Sequence, residues 1–185
     1  MRVISGSLKG KKILEPKDIR TRPLKDLAKE SIFNIIKHSS KFKINLEKSN
    51  ILDLFSGVGS FGIECLSRGT EKVTFVENYS GVLPILKKNL SNIKSHNSYV
   101  IIEKDIINGN LFFEFNGKFD LIFLDPPFKD KNLKNILTSI AKEKLLNTNG
   151  IIIIHRHKSE KDTIPGDFKI IEEKKYGLSK IIFLN

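Results

Sequence analysis

Apolar residues along this chain follow two rhythms. Short runs of β-branched and aromatic residues, unbroken by polar alternation, recur at 50–55, 72–77, 99–103, 119–124 and 150–155, and each predicts a strand buried on both faces. Between them, stretches near Ser60 to Ser67, Tyr79 to Asn92 and Lys131 to Leu146 predict helices, with Pro84 marking a first turn or a kink in the second. Strands alternating with helices predict a parallel sheet covered on both faces. The tail changes character: Phe168 to Lys175 and Ser179 to Leu184 predict an antiparallel hairpin about Tyr176-Gly177-Leu178. Ahead of this body, Arg2 to Ser5 and Lys11 to Glu15 predict a β-hairpin, and Pro16 to Pro23 a loop. Asp26 to Lys37 predicts an amphipathic helix with Leu27, Ile32, Phe33, Ile35 and Ile36 on its apolar face. The polar connection from Ser39 to Asn50 separates an arm, residues 1–48, from a body, residues 49–185, within one compact unit. No internal repeat or low-complexity segment interrupts this order.

The run at 119–124 ends in Asp125-Pro126-Pro127-Phe128. Neither proline can donate to a sheet ladder and each fixes its own φ, so the strand must stop there. That places Asp125 and Phe128 at the carboxyl edge of the sheet, where open α/β folds bind their ligands. A rigid turn can there hold a carboxylate, a backbone carbonyl and an aromatic face around one planar group, which suits a nucleobase gripped by its exocyclic amine. Upstream, Gly57, Gly59 and Gly62 spell G-x-G-x-x-G between a strand and a helix, a pattern that by itself is common. Glu77 ends the second strand about 20 residues on, suited to ribose hydroxyls. NAD and S-adenosylmethionine both offer that ribose. Asp53 inside the first strand favours S-adenosylmethionine, because an acid there can hold the methionine ammonium. Nothing downstream resembles a hydride-transfer site. Asp105, after the third strand, could accept from the adenine amine or could be a helix N-cap.

Composition narrows the setting. A chain of 185 residues is expected to form one domain with a sizeable core. No apolar stretch is long enough to span a bilayer, and the first residues lack the apolar core of a signal peptide. The single Cys65 allows no internal disulfide and is expected to fill core space. Four histidines and one cysteine show no zinc spacing, so no metal is expected. His155 and His157, at the end of the fifth strand, are expected to be exposed polar residues with no catalytic role. The net charge of +11 is uneven: residues 1–50 carry 13 basic against 5 acidic side chains, and the other 135 carry 19 against 16. A basic arm beside a near-neutral body is an electrostatic footprint for a polyanion.

These residues resemble the RsmD family of bacterial methyltransferases, which modify the exocyclic N2 of a guanine in 16S ribosomal RNA. The resemblance runs through Met1-Arg2-Val3-Ile4-Ser5-Gly6, Leu8-Lys9-Gly10, Thr21-Arg22-Pro23 and Lys29-Glu30-Ser31-Ile32-Phe33-Asn34. It continues through Leu52-Asp53-Leu54-Phe55-Ser56-Gly57-Val58-Gly59, Ser67-Arg68-Gly69, Val73-Thr74-Phe75-Val76-Glu77, Phe123-Leu124-Asp125-Pro126-Pro127-Phe128 and Tyr176-Gly177. The glycine and Asp-Pro-Pro-aromatic motifs are shared with many methyltransferases; the arm is the specific part. The chain departs from the family pattern at Leu24, at Asp26-Leu27-Ala28, and at His155-Arg156-His157, where an acid is usual.

The resemblance implies a Rossmann-like class I S-adenosylmethionine-dependent methyltransferase. Its sheet would be mostly parallel and seven-stranded with a C-terminal antiparallel hairpin, preceded by an N-terminal β-hairpin and helix arm. It implies cofactor binding by Asp53, Phe55, Gly57, Gly59, Glu77, Asp105 and Asp125, and catalysis by Asp125, Pro126, Pro127 and Phe128. Lys9, Lys11, Lys12, Arg20 and Arg22 are the expected RNA contacts, although Arg22 could instead face the cofactor. The expected setting is a cytoplasmic monomer acting on 16S ribosomal RNA or the small ribosomal subunit, with no membrane or metal partner. The alternatives are a DNA adenine-N6 methyltransferase, for which the chain has little room for a target-recognition region, and a protein-glutamine methyltransferase, which usually has Asn in place of Asp125. A non-catalytic RNA-binding protein on a decayed fold is the third, and intact Asp53, Gly57, Gly59, Glu77 and Asp125 oppose it.

Overall fold

The computed structural model describes residues 1–16, 24–93, 98–107, 111–128 and 130–185. Arg20 and Arg22 fall outside the described residues. After the arm helix α1 (Asp26–His38) come β1 (Asn50–Leu54), α2 (Ser60–Ser67), β2 (Lys72–Val76), α3 (Leu83–Ser91) and β3 (Tyr99–Ile102). There follow β4 (Phe119–Leu124), α4 (Leu133–Lys142), β5 (Leu146–His157), β6 (Ile170–Tyr176) and β7 (Ser179–Leu184). The seven strands form one sheet in the order β3-β2-β1-β4-β5-β7-β6. Strands β1 to β5 run parallel, and β7 joins β5 antiparallel. This is the expected architecture. No helix among the described residues is long and apolar enough to cross a membrane.

Side chains alternate between two cores, as a pleat of period two requires. Ile51, Val73, Phe75, Leu121, Phe123, Ile153 and Phe183 face one side, and Leu52, Leu54, Val76, Ile122, Leu124, Ile154 and Leu184 the other. Helix α4 covers the second face with Leu133, Ile136, Leu137 and Ile140. It ends where Lys144 turns left-handed (φ 50), while Leu145 N–H reaches back to the Ile140 carbonyl at 3.1 Å. Pro84 lies in the first turn of α3, where its missing N–H costs nothing. Cys65 is fully buried in the core, and burial pushes its thiol well above the ordinary range.

The arm shares the first core. Val3, Ile13, Leu24, Ala28, Ile32, Phe33, Ile36 and Phe42 join that cluster. The rings of Phe33, Phe61 and Phe123 form a column from α1 through α2 to β4, with centroid separations of 5.2 and 3.9 Å. Leu27 is not on this face: it is 68% exposed, and Lys29 takes the buried place. The hairpin is loose, with one bridge, Arg2 to Lys12, because much of its bonding goes to α2.

That docking is polar and buried. Glu64 on α2 accepts from Ile4 N–H at 2.7 Å and Ser5 N–H at 3.0 Å, and pairs with Arg68. Lys29, fully buried, donates to the Arg2 carbonyl at 2.8 Å and to Ser60 Oγ at 3.2 Å, and lies 3.8 Å from Glu64. Burial pulls the Lys29 ammonium below its ordinary value, opposed chiefly by Glu64. At Gly6 a Cβ would stand 1.8 Å from the Ser67 carbonyl, so only glycine permits this approach. Replacing Glu64 by Ala should leave Lys29 only Asp26 as a carboxylate partner, at 3.8 Å, leave two N–H groups unpaired, and lower the unfolding free energy by about 3–5 kcal/mol in a denaturant titration. A loss below about 1 kcal/mol would show that the arm is held by its apolar contacts alone.

Candidate active site

Strand order reverses between β1 and β4, each of which continues the sheet on its own side, so a crevice opens at their carboxyl ends. Here β1 runs into the glycine turn. Phe55 takes a left-handed conformation (φ 59), as do Gly57 (φ 57) and Gly59 (φ 84). Ser56 ties the turn down through Oγ, bonded to the Asp53 and Val76 carbonyls at 2.8 and 2.9 Å. Gly62 faces inward: a Cβ would stand 2.3 Å from the Phe75 ring, so this glycine serves close helix–strand packing.

Three carboxylates converge on this edge. Asp53 is 1% exposed, and its Oδ2 accepts from Gly62 N–H at 3.0 Å. Burial drives its carboxyl well above the usual range; Gly62 opposes the shift, and the charges of Asp125 and Glu77 add to it. Glu77 accepts from Gly57 N–H at 2.7 Å and from Asn78 and Tyr79 N–H at 2.9 Å each, which locks β2 to the glycine turn. Asp105, half-buried after β3, takes the Ile107 N–H at 2.7 Å in a local turn.

Beyond β4, Asp125 N–H reaches the Leu54 carbonyl at 3.4 Å, which places Asp125 beside the glycine turn. Asp125 Oδ1 lies 2.8 Å from His155 Nδ1. Pro126 is buried, Pro127 exposed and Phe128 half-buried. The Phe128 ring meets those of His155 and His157 at centroid distances of 5.7 and 5.4 Å. Arg156 is 1% exposed and holds the loop from below, donating to the Pro127 carbonyl at 3.0 Å and the Asp130 carbonyl at 2.8 Å. Asp162 balances its charge at 3.0 Å.

His155 therefore differs from the exposure expected of it. His155 is buried and bonded to Asp125, and Arg156 is a buried brace. The reason is β7, whose Ile181 and Lys180 pair with His155 and Arg156 and cover that end of β5. His157 remains half-buried beside Phe128.

The family model described as conserved hypothetical protein 95 matches residues 1–185. The chain belongs to this family, that of the RsmD methyltransferases. A Haemophilus influenzae relative named ribosomal RNA small subunit methyltransferase D is 31% identical, over 96% of this chain and 90% of its own. One of the same name from Buchnera aphidicola subsp. Baizongia pistaciae is 32% identical, over 95% and 86%. The crystal structure of HI0767 from Haemophilus influenzae superposes with a TM-score of 0.77 at 28% identity, covering 99% of this chain and 96% of that one.

The methyl donor of RsmD methyltransferases is S-adenosylmethionine. The edge of the sheet suits it, since a ligand carrying sulfonium and ammonium charges offsets the repulsion among Asp53, Glu77 and Asp125. Among the described residues no cluster of His, Cys, Asp and Glu could hold a metal.

The described lysines of the hairpin lie elsewhere. Ser67, at the far end of α2 from the glycine turn, bonds to Ser7 and Leu8. An eight-residue helix rises about 12 Å, so the hairpin tip docks at the end of α2 away from the turn. Lys9 is exposed there. Lys12 is exposed at the bridge to Arg2, whose carbonyl meets Lys29 beside Ser60, and Lys11 donates to the Asn92 carbonyl just beyond α3.

Because its carboxyl is raised when folded, Asp53 should destabilise the ligand-free fold increasingly as pH climbs above its ordinary value of 3.8. Asp53→Asn removes that titration. Its stability relative to the parent should therefore be flat below about pH 3.8 and rise with pH above it, as read by thermal unfolding across a pH series. A difference independent of pH would contradict the raised carboxyl.

Proposed function

We propose that this protein transfers a methyl group from S-adenosylmethionine to the exocyclic N2 of a guanine in small-subunit ribosomal RNA. The observation that carries this reading is the Asp125 carboxylate, fixed on one oxygen by His155 beside a half-buried Phe128, next to the glycine turn. Ribosomal RNA is the substrate that the names of the relatives give for those proteins, and the net charge of the arm fits a polyanion.

A guanine amine is a poor nucleophile, because its lone pair is delocalised into the ring. Asp125 Oδ2 accepts one amine N–H and the Pro126 carbonyl accepts the other. The Pro127 carbonyl is not available, since Arg156 and the Asp130 N–H already occupy it. Held on both protons, the nitrogen pyramidalises and directs its lone pair out of the ring plane. Phe128 stacks on the base and fixes that plane. S-adenosylmethionine supplies an electrophilic methyl on its sulfonium, and Asp53 and Glu77 hold the ammonium and ribose that orient it. The new N–C bond forms as the S–C bond breaks, and the surplus amine proton passes to Asp125 Oδ2. The rate enhancement is one of positioning. Lys9 and Lys12, exposed on the hairpin, hold RNA that flanks the target.

Asp125→Ala should remove most of kcat while leaving affinity for S-adenosylhomocysteine near that of the parent. Phe128→Ala should cost about 1–3 kcal/mol in kcat/KM, the scale of one base–aromatic stack, and Phe128→Tyr should be tolerated. An Asp125→Ala enzyme with the parent's kcat on ribosomal RNA would overturn the assigned role.

Joint replacement of Lys9 and Lys12 by Ala should raise KM for RNA without changing cofactor affinity. It should also flatten the log–log dependence of binding on salt by somewhat under one unit per lost contact. An unchanged slope would make both lysines plain solvated surface.

A further inference from the structure

We infer that His155 is a positioning residue for the methyl transfer, setting both the free oxygen of Asp125 and the plane of Phe128. The inference rests on the reading above, in which Asp125 and Phe128 grip the target base.

A carboxylate only accepts, so the 2.8 Å contact between Asp125 Oδ1 and His155 Nδ1 requires the imidazole proton on Nδ1. Nε2 pairs with Ser179 Oγ at 2.8 Å, a hydroxyl that can donate or accept. Both nitrogens of a side chain only 5% exposed therefore have partners, Asp125 fixing a proton on Nδ1 and Ser179 on β7 holding the ring from its other side. With Oδ1 occupied, the carboxylate cannot rotate freely, and Oδ2 is the oxygen left for the amine. The same imidazole meets the Phe128 ring nearly edge to face, at 75° and 5.7 Å. One rigid, buried group thus touches the acceptor and the stacking surface together. It has no contact with Asp53 or Glu77 among the described hydrogen bonds, so its influence falls on the base and not on the cofactor.

The test compares His155→Leu, His155→Asn and Ser179→Ala with Asp125→Asn, singly and in the double variant His155→Leu with Asp125→Asn. The substrate is small-subunit ribosomal RNA from cells lacking the gene. His155→Leu should lower kcat roughly ten- to hundredfold, the scale of one hydrogen bond to a charged group, with KM for RNA and affinity for S-adenosylhomocysteine within about threefold of the parent. His155→Asn, whose amide can donate to Asp125, should recover part of the loss. Ser179→Ala should show a smaller fall in kcat alone. Once Asp125 is Asn, adding His155→Leu should cost less than about threefold, because both changes remove one device. If Asp125→Asn by itself retains kcat, the base-gripping reading fails. If Asp125→Asn is inactive while His155→Leu keeps the parent's kcat, or Asn gives no recovery, the inference about His155 is overturned. Should His155→Leu fail to fold, Ser179→Ala decides: an unchanged kcat overturns the inference.

Discussion

Two consecutive prolines leave the loop after β4 with no N–H groups at those positions, so its carbonyls are held by the Asp130 N–H further along and by a donor from β5. The guanidinium of Arg156 is that donor. It spans the Pro127 and Asp130 carbonyls from a site 1% exposed, with Asp162 close enough to balance its charge. A planar fork of fixed geometry can hold two carbonyls in one relation where a lysine could hold only a point. The loop carrying Asp125 and Phe128 is thereby fixed to β5, and β5 is fixed to β7. The C-terminal hairpin, remote in sequence, is part of what shapes the crevice.

The opposite side of the crevice is set by charge. The glycine turn brings Asp53 and Glu77 together because Gly57 and Gly62 donate backbone N–H groups to them, and Asp125 adds a third negative charge. Such a cluster is poised for a cationic ligand, and it stays folded because backbone dipoles and β7 support it from outside. The arm works by a separate principle. Lys29 and Glu64 tie it to α2 in a buried polar network, while the column of Phe33, Phe61 and Phe123 joins it to the sheet. An RNA held by the arm is therefore held by the same rigid body that carries the crevice.

Much of this was legible in the sequence, for definite reasons. Unbroken apolar runs can only be buried strands, and glycines and prolines end them at positions set by backbone sterics, so Asp53, Glu77 and Asp125 could be placed on one edge. Ser60–Ser67, Phe119–Leu124 and Ser179–Leu184 fall where the pattern put them. The burials that the pattern did not reveal share a cause. Lys29, Glu64, His155 and Arg156 are polar residues whose burial depends on what packs over them, and local pattern carries no record of that. Leu27 is the converse, an apolar residue left outside because Lys29 has partners within. From sequence Asp105 is open between an adenine contact and a helix N-cap, and the structure shows its carboxylate on the Ile107 N–H in a local turn.

The central claim is that the crevice methylates a guanine amine in ribosomal RNA. The most direct measurement is mass spectrometry of nucleosides from small-subunit ribosomal RNA treated with the protein and S-adenosylmethionine bearing a deuterated methyl group. The account predicts labelled N2-methylguanosine. Label on ribose, on a ring carbon or on adenine, or no label in the RNA at all, would contradict it.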